Sequence, residues 1–143
     1  MKPGPACVTY RVPYADTDQM GVVYYGNYLT YFERARNELL RRVGFTYREL
    51  EARGYALPVL EARVSYRGAA RYDDLLEIRG WVGWIKPVRL RIDCEVYRDD
   101  RCLAEGHTVH AFVTRDELKP TRMPEEFRRL FEAGIPPRRP ECR

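Results

Sequence analysis

A single apolar stripe of helical period, followed by strand-like runs with little further helical potential, restricts this chain to a sheet covered by one long helix. Over 27–43 the residues Tyr28, Leu29, Phe32, Ala35, Leu39, Leu40 and Val43 recur at three- and four-residue spacing, while Glu33, Arg34, Asn37, Glu38, Arg41 and Arg42 take the other side. Gly44 follows the last apolar position as a C-cap, and Arg41 and Arg42 fall in the last turn, where cations favour the helix dipole. Four strand-like runs come next, over 57–67, 75–85, 88–97 and 102–115. In the third, Val88, Leu90, Ile92, Cys94 and Val96 alternate with Arg89, Arg91, Asp93, Glu95 and Tyr97, the period of two expected of a sheet with one buried face.

A short strand over 7–12, with Val8, Tyr10 and Val12 on one face, precedes the helix and ends at Pro13. A helical turn is expected over 47–50, and Lys86-Pro87 and Asp99-Asp100 mark the joints of an antiparallel meander. The order is strand, long helix, four strands. This predicts an α+β, single-domain hotdog fold, with a long central helix packed on a five-stranded antiparallel sheet. The domain is read as 1–135, with a short helix through Phe127, Leu130 and Phe131, and 136–143 as a mobile C-terminal tail.

A hydrophobic fraction of 45% is enough to build a core without disulfides or metal. No run of about 18 apolar residues and no apolar leader is present, so a cytoplasmic protein without stable membrane insertion is expected. The formal charge of +4 is weak and dispersed, and no helix-turn-helix, RNP or zinc motif accompanies it, which excludes nucleic acid as the expected partner. Cys7, Cys94, Cys102 and Cys142 are scattered and read as reduced thiols without a role, and a zinc site is not expected. His107 and His110 lie an odd number of residues apart and should face opposite sides, as should Trp81 and Trp84.

Chemistry concentrates in 14–28, where Asp16 and Asp18 stand just ahead of the helix, with Gly21 after them free to bend the backbone. A carboxylate there can attack a carbonyl or activate water, while the helix end receives a developing oxyanion. An Asp-x-Asp before a helix also suits a plain capping or turn-forming pair.

With Asp16-Thr-Asp18, Gly21-Val-Val-Tyr-Tyr25, Asn27-Tyr28 and Phe32-Glu-Arg-Ala-Arg36, and the weaker Tyr72-Asp-Asp-Leu75, the chain resembles the hotdog acyl-coenzyme A thioesterases. The resemblance is to the 4-hydroxybenzoyl-coenzyme A thioesterase branch and to the related Tol-Pal-associated enzymes. It implies that Asp18 is the catalytic nucleophile or general base, that the backbone N–H of Tyr25 polarises the thioester carbonyl, and that Asp16 is structural. Gly21, Val22, Tyr24 and Tyr28 are the implied substrate-binding residues, and Lys86, Arg89 and Arg91 the candidates for the coenzyme A phosphates, with Arg63 and Arg67 behind them. It further implies no metal, no cofactor beyond the coenzyme A that is part of the substrate, and a homodimer or homotetramer with the site between subunits. Tyr25 stands where some Tol-Pal-associated relatives carry histidine. The competing functional reading is a non-catalytic acyl-coenzyme A-binding hotdog protein; a hotdog dehydratase would want a histidine near the helix, and none precedes His107. Glu33 and Arg36 are expected to form an ion pair.

Overall fold

The computed structural model describes residues 5–136. The tail expected over 136–143 therefore lies, apart from Pro136, outside the described residues. The elements run β1 (Ala6–Arg11), a 3-10 turn (Tyr14–Asp16), α1 (Asn27–Val43), α2 (Tyr47–Ala52), β2 (Tyr55–Ala56), β3 (Val59–Tyr66), β4 (Leu75–Ile85), β5 (Arg89–Arg98), β6 (Arg101–Ala111), β7 (Val113–Thr114) and α3 (Glu125–Ala133). The five long strands form one antiparallel sheet in the order β1-β4-β5-β6-β3, and β2 pairs with β7 beside it.

The bounds of α1 follow from its stripe and its stop. Tyr28, Tyr31, Phe32, Ala35, Leu39, Leu40 and Val43 are buried, and Gly44 ends the helix at φ 123°, a conformation open to glycine at little cost. Leu29, assigned to the stripe from its spacing, points outward, and Tyr31 takes its place in the core.

The helix can lie close because one row across the sheet is small. Gly80, Cys94 and Gly106 are in register on β4, β5 and β6. A Cβ on Gly80 would meet the Ala35 Cβ at 3.2 Å, and one on Gly106 would meet the Phe32 ring at 2.9 Å and collide with the backbone of Arg63. The core of Phe32, Ala35, Leu39, Ile78, Val82, Ile92 and Val96 fills the space between helix and sheet. At the far end, Phe45, Tyr55, Phe112, Phe127 and Phe131 form an aromatic cluster that docks α3, as the expected tail helix. Among the described residues no helix is long and apolar enough to cross a membrane.

The parity argument holds for the histidines and fails for the tryptophans. His110 is fully buried on the helix side of the sheet, and His107 points to the other face, 3.2 Å from Glu61. Trp81 pairs with Asp93, but a register shift between Val82 and Trp84 pairs Trp84 with Arg91. The extra residue, Gly83, is a β-bulge that returns both tryptophans to the face away from α1. The cysteine reading also divides: Cys7 and Cys94 are free thiols, whereas Cys102 is disulfide-bonded.

Arg36 turns inward instead of pairing with Glu33. Its Nε donates to the Tyr47 hydroxyl at 2.7 Å, and its Nη1 reaches Thr108 Oγ1 at 3.5 Å. His110 Nδ1 lies 2.9 Å from the Leu57 carbonyl, which can only accept, so Nδ1 carries the proton and Nε2 accepts from the Thr108 hydroxyl at 2.8 Å. Burial holds the His110 pKa down to about 4.

Candidate active site

The acidic segment is a short hairpin hung between β1 and α1. Pro13 ends β1, the 3-10 turn follows, and Thr17 then bridges to Val23 in antiparallel fashion. Asp18 N–H donates to the Val22 carbonyl and Gly21 N–H to the Asp18 carbonyl, each at 2.9 Å, so Asp18 to Gly21 form the tip. Gly21 reverses the chain at φ 76°, which is the conformational freedom the sequence suggested for it. Asp18 Oδ1 accepts the Met20 N–H at 2.9 Å, an Asx turn that orients the carboxylate on its own loop.

The two acids have different surroundings. Asp16 Oδ2 accepts the hydroxyls of Tyr10 and Tyr31, at 2.8 and 2.7 Å. Desolvation, then the bond to Asp16, pushes both phenol pKa values up, so both tyrosines stay protonated donors. The Asp16 carbonyl accepts Tyr24 N–H and Asn27 Nδ2, each at 2.9 Å. Asp16 thus ties the hairpin to the first turn of α1.

That first turn is left open. Gly26 is the N-cap, with no side-chain capping bond, and no acidic residue lies in the first turn. Asn27, a residue type that often caps, sends its amide to Asp16 instead. Among the described residues, neither Tyr25 N–H nor Gly26 N–H has an acceptor. Two free amides at a helix N-terminus make a place where negative charge is stabilised. The Tyr24 phenol pKa is raised first by its hydrogen bond with Tyr25, with a smaller contribution from the Asp18 charge.

Aromatic rings surround this end of the helix. Tyr24 and Tyr25 are exposed with ring centroids 4.6 Å apart, and Tyr25, Tyr66 and Tyr28 continue the chain of contacts at 6.5 and 5.2 Å. Tyr28 is buried, its phenol raised by desolvation. The Tyr66 hydroxyl donates to the Tyr25 carbonyl at 2.9 Å. Tyr66 escaped the sequence reading because it reaches the site from β3, 41 residues away; an aromatic at the end of an edge strand was its only signal.

The loop carrying Tyr72-Asp-Asp-Leu75 buttresses the hairpin. Val23 N–H donates to the Ala70 carbonyl, and Val12 exchanges backbone bonds with Asp73 and Asp74. Asp74 fixes the loop by accepting Arg71 N–H at 2.8 Å and Arg98 Nη1 at 2.9 Å.

Asp18, Gly21, Val22, Tyr24, Tyr25 and Tyr28 therefore belong to one hairpin and one helix start. Lys86, Arg89 and Arg91 do not join them within one chain. Tyr66 shares a row with Ala104 and Val96, and Arg89 is seven residues from Val96 along β5, about 23 Å. Lys86 lies over the Trp84 ring at 4.7 Å, Arg89 is exposed, and Arg91 pairs with Asp93 at 3.0 Å on the face away from α1. Arg67 is engaged by Glu105 at 2.6 Å, and Arg63 stands opposite His107 in the register. Among the described residues no cluster of three or more His, Cys, Asp or Glu side chains is arranged to hold a metal.

Comparison with known proteins agrees with this architecture. Residues 12–131 match the model of the thioesterase-like superfamily. The acyl-CoA thioesterase YbgC of Haemophilus influenzae is 36% identical over 122 residues, covering 85% of this chain and 90% of that protein. Among solved structures, the hypothetical protein TT1821 from Thermus thermophilus superposes with a TM-score of 0.86 at 34% identity, over 90% of this chain and 98% of that one. The DHNA-CoA thioesterase from Staphylococcus aureus gives a TM-score of 0.83 at 30% identity, over 90% of this chain and 87% of that one. The helix-covered five-stranded sheet is the hotdog fold, and the chain belongs to the thioesterase-like superfamily.

Proposed function

We propose that this thioester hydrolase acts on acyl-coenzyme A, releasing the free acid and coenzyme A, with Asp18 as the reacting carboxylate and Tyr25 N–H as the oxyanion donor. The observation that carries the reading is the carboxylate of Asp18 on a hairpin tip leading directly into an uncapped helix start, where Tyr25 N–H has no acceptor among the described residues. A thioester carbonyl is poorly resonance-stabilised, so a carboxylate suffices without a Ser-His pair. As nucleophile, Asp18 forms a mixed anhydride and expels the coenzyme A thiolate, and water then hydrolyses the anhydride. As general base, it takes a proton from water as that water attacks. In both routes the tetrahedral oxyanion forms at the helix end, where one such donor is worth roughly 3 kcal/mol.

Gly21 and Val22 shape the hairpin, and Tyr24, Tyr25, Tyr28 and Tyr66 offer ring faces to the acyl end. Assigning Lys86, Arg89 and Arg91 to the coenzyme A phosphates requires either a pantetheine arm spanning the sheet or a second subunit. Among the described residues no strand pairs with the outer edge of β3, and that edge supports a homodimer or homotetramer with a shared site. The reading includes a cytoplasmic location and no cofactor beyond the coenzyme A of the substrate.

The test is thiol release by purified wild type and Asp18→Asn across short, long and aromatic acyl-coenzyme A thioesters. Wild type should turn over at least one, and Asp18→Asn should fall by between about 10² and 10⁴ with its oligomer intact. Undiminished turnover by Asp18→Asn would remove Asp18 from the mechanism. Thioester binding by wild type without thiol release would turn the assignment to a non-catalytic binding protein.

A further inference from the structure

The start of α1 is held in place by groups from elsewhere in the fold. On one side the Asp16 carbonyl accepts Tyr24 N–H and the Asn27 amide. On the other, the Tyr25 carbonyl accepts the Tyr66 hydroxyl at 2.9 Å and Tyr28 N–H at 3.3 Å. The backbone bond is the longer of the two, so the hydroxyl is the closer constraint on that carbonyl. A peptide unit is planar, and fixing the Tyr25 C=O fixes the Gly26 N–H that points from the same plane in the opposite direction. This amide and Tyr25 N–H are the two in the turn without an acceptor among the described residues. Accepting a bond at the carbonyl also polarises the peptide and strengthens its N–H as a donor. Gly26 has the common φ of −65°, so the turn does not need glycine for its backbone angle. A Cβ there would lie 2.9 Å from the ring of the exposed Tyr24, so a larger residue would displace that ring.

From this geometry we infer that Tyr66 is a positioning residue of the oxyanion site: its hydroxyl sets the Tyr25–Gly26 peptide so that Gly26 N–H stands beside Tyr25 N–H as a second donor to the thioester carbonyl oxygen. The inference rests on the proposed thioesterase reading. It makes β3, the edge strand of the sheet, a part of the site through one hydrogen bond.

Tyr66→Phe removes that bond and keeps the ring that packs on Tyr28 and Tyr25. With benzoyl-coenzyme A as the probe, kcat should fall about tenfold while KM stays within about twofold, because an interaction made mainly in the transition state is lost. Thermal unfolding should be nearly unchanged, since both ends of the bond are solvent-accessible. The direct readout is the thioester carbonyl stretch of benzoyl-coenzyme A bound to the Asp18→Asn protein. Binding should shift the band to lower frequency, and adding Tyr66→Phe should reverse part of that shift. An unchanged kcat, or the same band with and without the hydroxyl, overturns the inference. A loss of activity matched by loss of folded protein would reduce Tyr66 to a structural residue and also overturns it. Where thiol release by Asp18→Asn equals wild type and the assignment of Asp18 fails, the band is read instead with phenacyl-coenzyme A, whose ketone takes the place of the thioester carbonyl and is not hydrolysed, so the role of Tyr66 is decided separately.

Discussion

His110 should impose a measurable acid weakness on the fold. Its ring is fully buried, Nδ1 donates to the Leu57 carbonyl and Nε2 accepts from Thr108, so both nitrogens are satisfied only in the neutral form. Burial first, and the nearby Arg36 charge in the same direction, lower its pKa from 6.5 to about 4. Between those values the unfolded chain binds a proton that the folded chain refuses. The stabilisation is complete above pH 6.5 and is lost as the pH falls towards 4, by about 3 kcal/mol in all. His110→Gln retains an amide donor for Leu57 and an acceptor for Thr108 but does not titrate. Urea unfolding of both proteins at pH 7 and pH 4.5, at one protein concentration, should show wild type losing roughly 2.5 kcal/mol more than the variant. The carboxylates titrate alike in both proteins and cancel in the difference. Parallel losses, within about 0.5 kcal/mol, would refute the buried neutral imidazole.

Two other substitutions probe the framework of the site. Asp16→Ala leaves the hydroxyls of Tyr10 and Tyr31 without their common acceptor and should cost about 2–3 kcal/mol in urea denaturation, whereas Asp16→Asn should cost less; equal stability of Asp16→Ala and wild type would contradict the clamp. Gly106→Ala drives a methyl into the Arg63 backbone and the Phe32 ring, where little can yield, and should destabilise by about 3 kcal/mol or abolish soluble expression. A thermal midpoint for Gly106→Ala within a degree or two of wild type would show that α1 is not seated on that small-residue row.

What could be read from the sequence was what local spacing records. The helix over 27–43 coincides with Asn27–Val43 because its stripe is continuous and Gly44 takes the left-handed turn that ends it. The run over 75–85 coincides with β4, but its facing does not: the bulge at Gly83 adds a residue, and alternation counted from one end inverts beyond it. The run over 102–115 divides into β6 and β7, with Phe112 between them still donating its N–H to the Val88 carbonyl while Val113 and Thr114 pair with β2. Asp18, Gly21 and the tyrosines of the helix start were legible because they are contiguous. The groups that organise them were not, because Tyr10, Tyr31 and Tyr66 meet the segment only after the chain has folded. Arg36 shows the same limit, since a charge beside Glu33 on a helix reads as a surface pair until Tyr47 and Thr108 draw it inward.

The pair Asp16 and Asp18 shows how one residue type meets two different surroundings within one hairpin. Both are aspartates of one hairpin, so intrinsic acidity cannot separate them. Their surroundings do: Asp16 receives two phenols on a single oxygen and two further donors on its carbonyl, whereas Asp18 receives one backbone N–H, from its own loop. A carboxylate whose oxygen already holds two donors is poorly placed to attack or to accept a proton, and removing it disturbs everything it holds. One with a single local bond can be re-bonded to substrate or water at small cost. The hairpin makes the division possible, because Gly21 turns the chain back and the Thr17–Val23 bridge returns it to Asp16 and the helix. Asp16 thereby fixes the backbone from which Asp18 and the Tyr25 amide both extend, at a helix start that its own residues leave uncapped, and in the proposed reaction that fixed geometry is what stabilises the oxyanion.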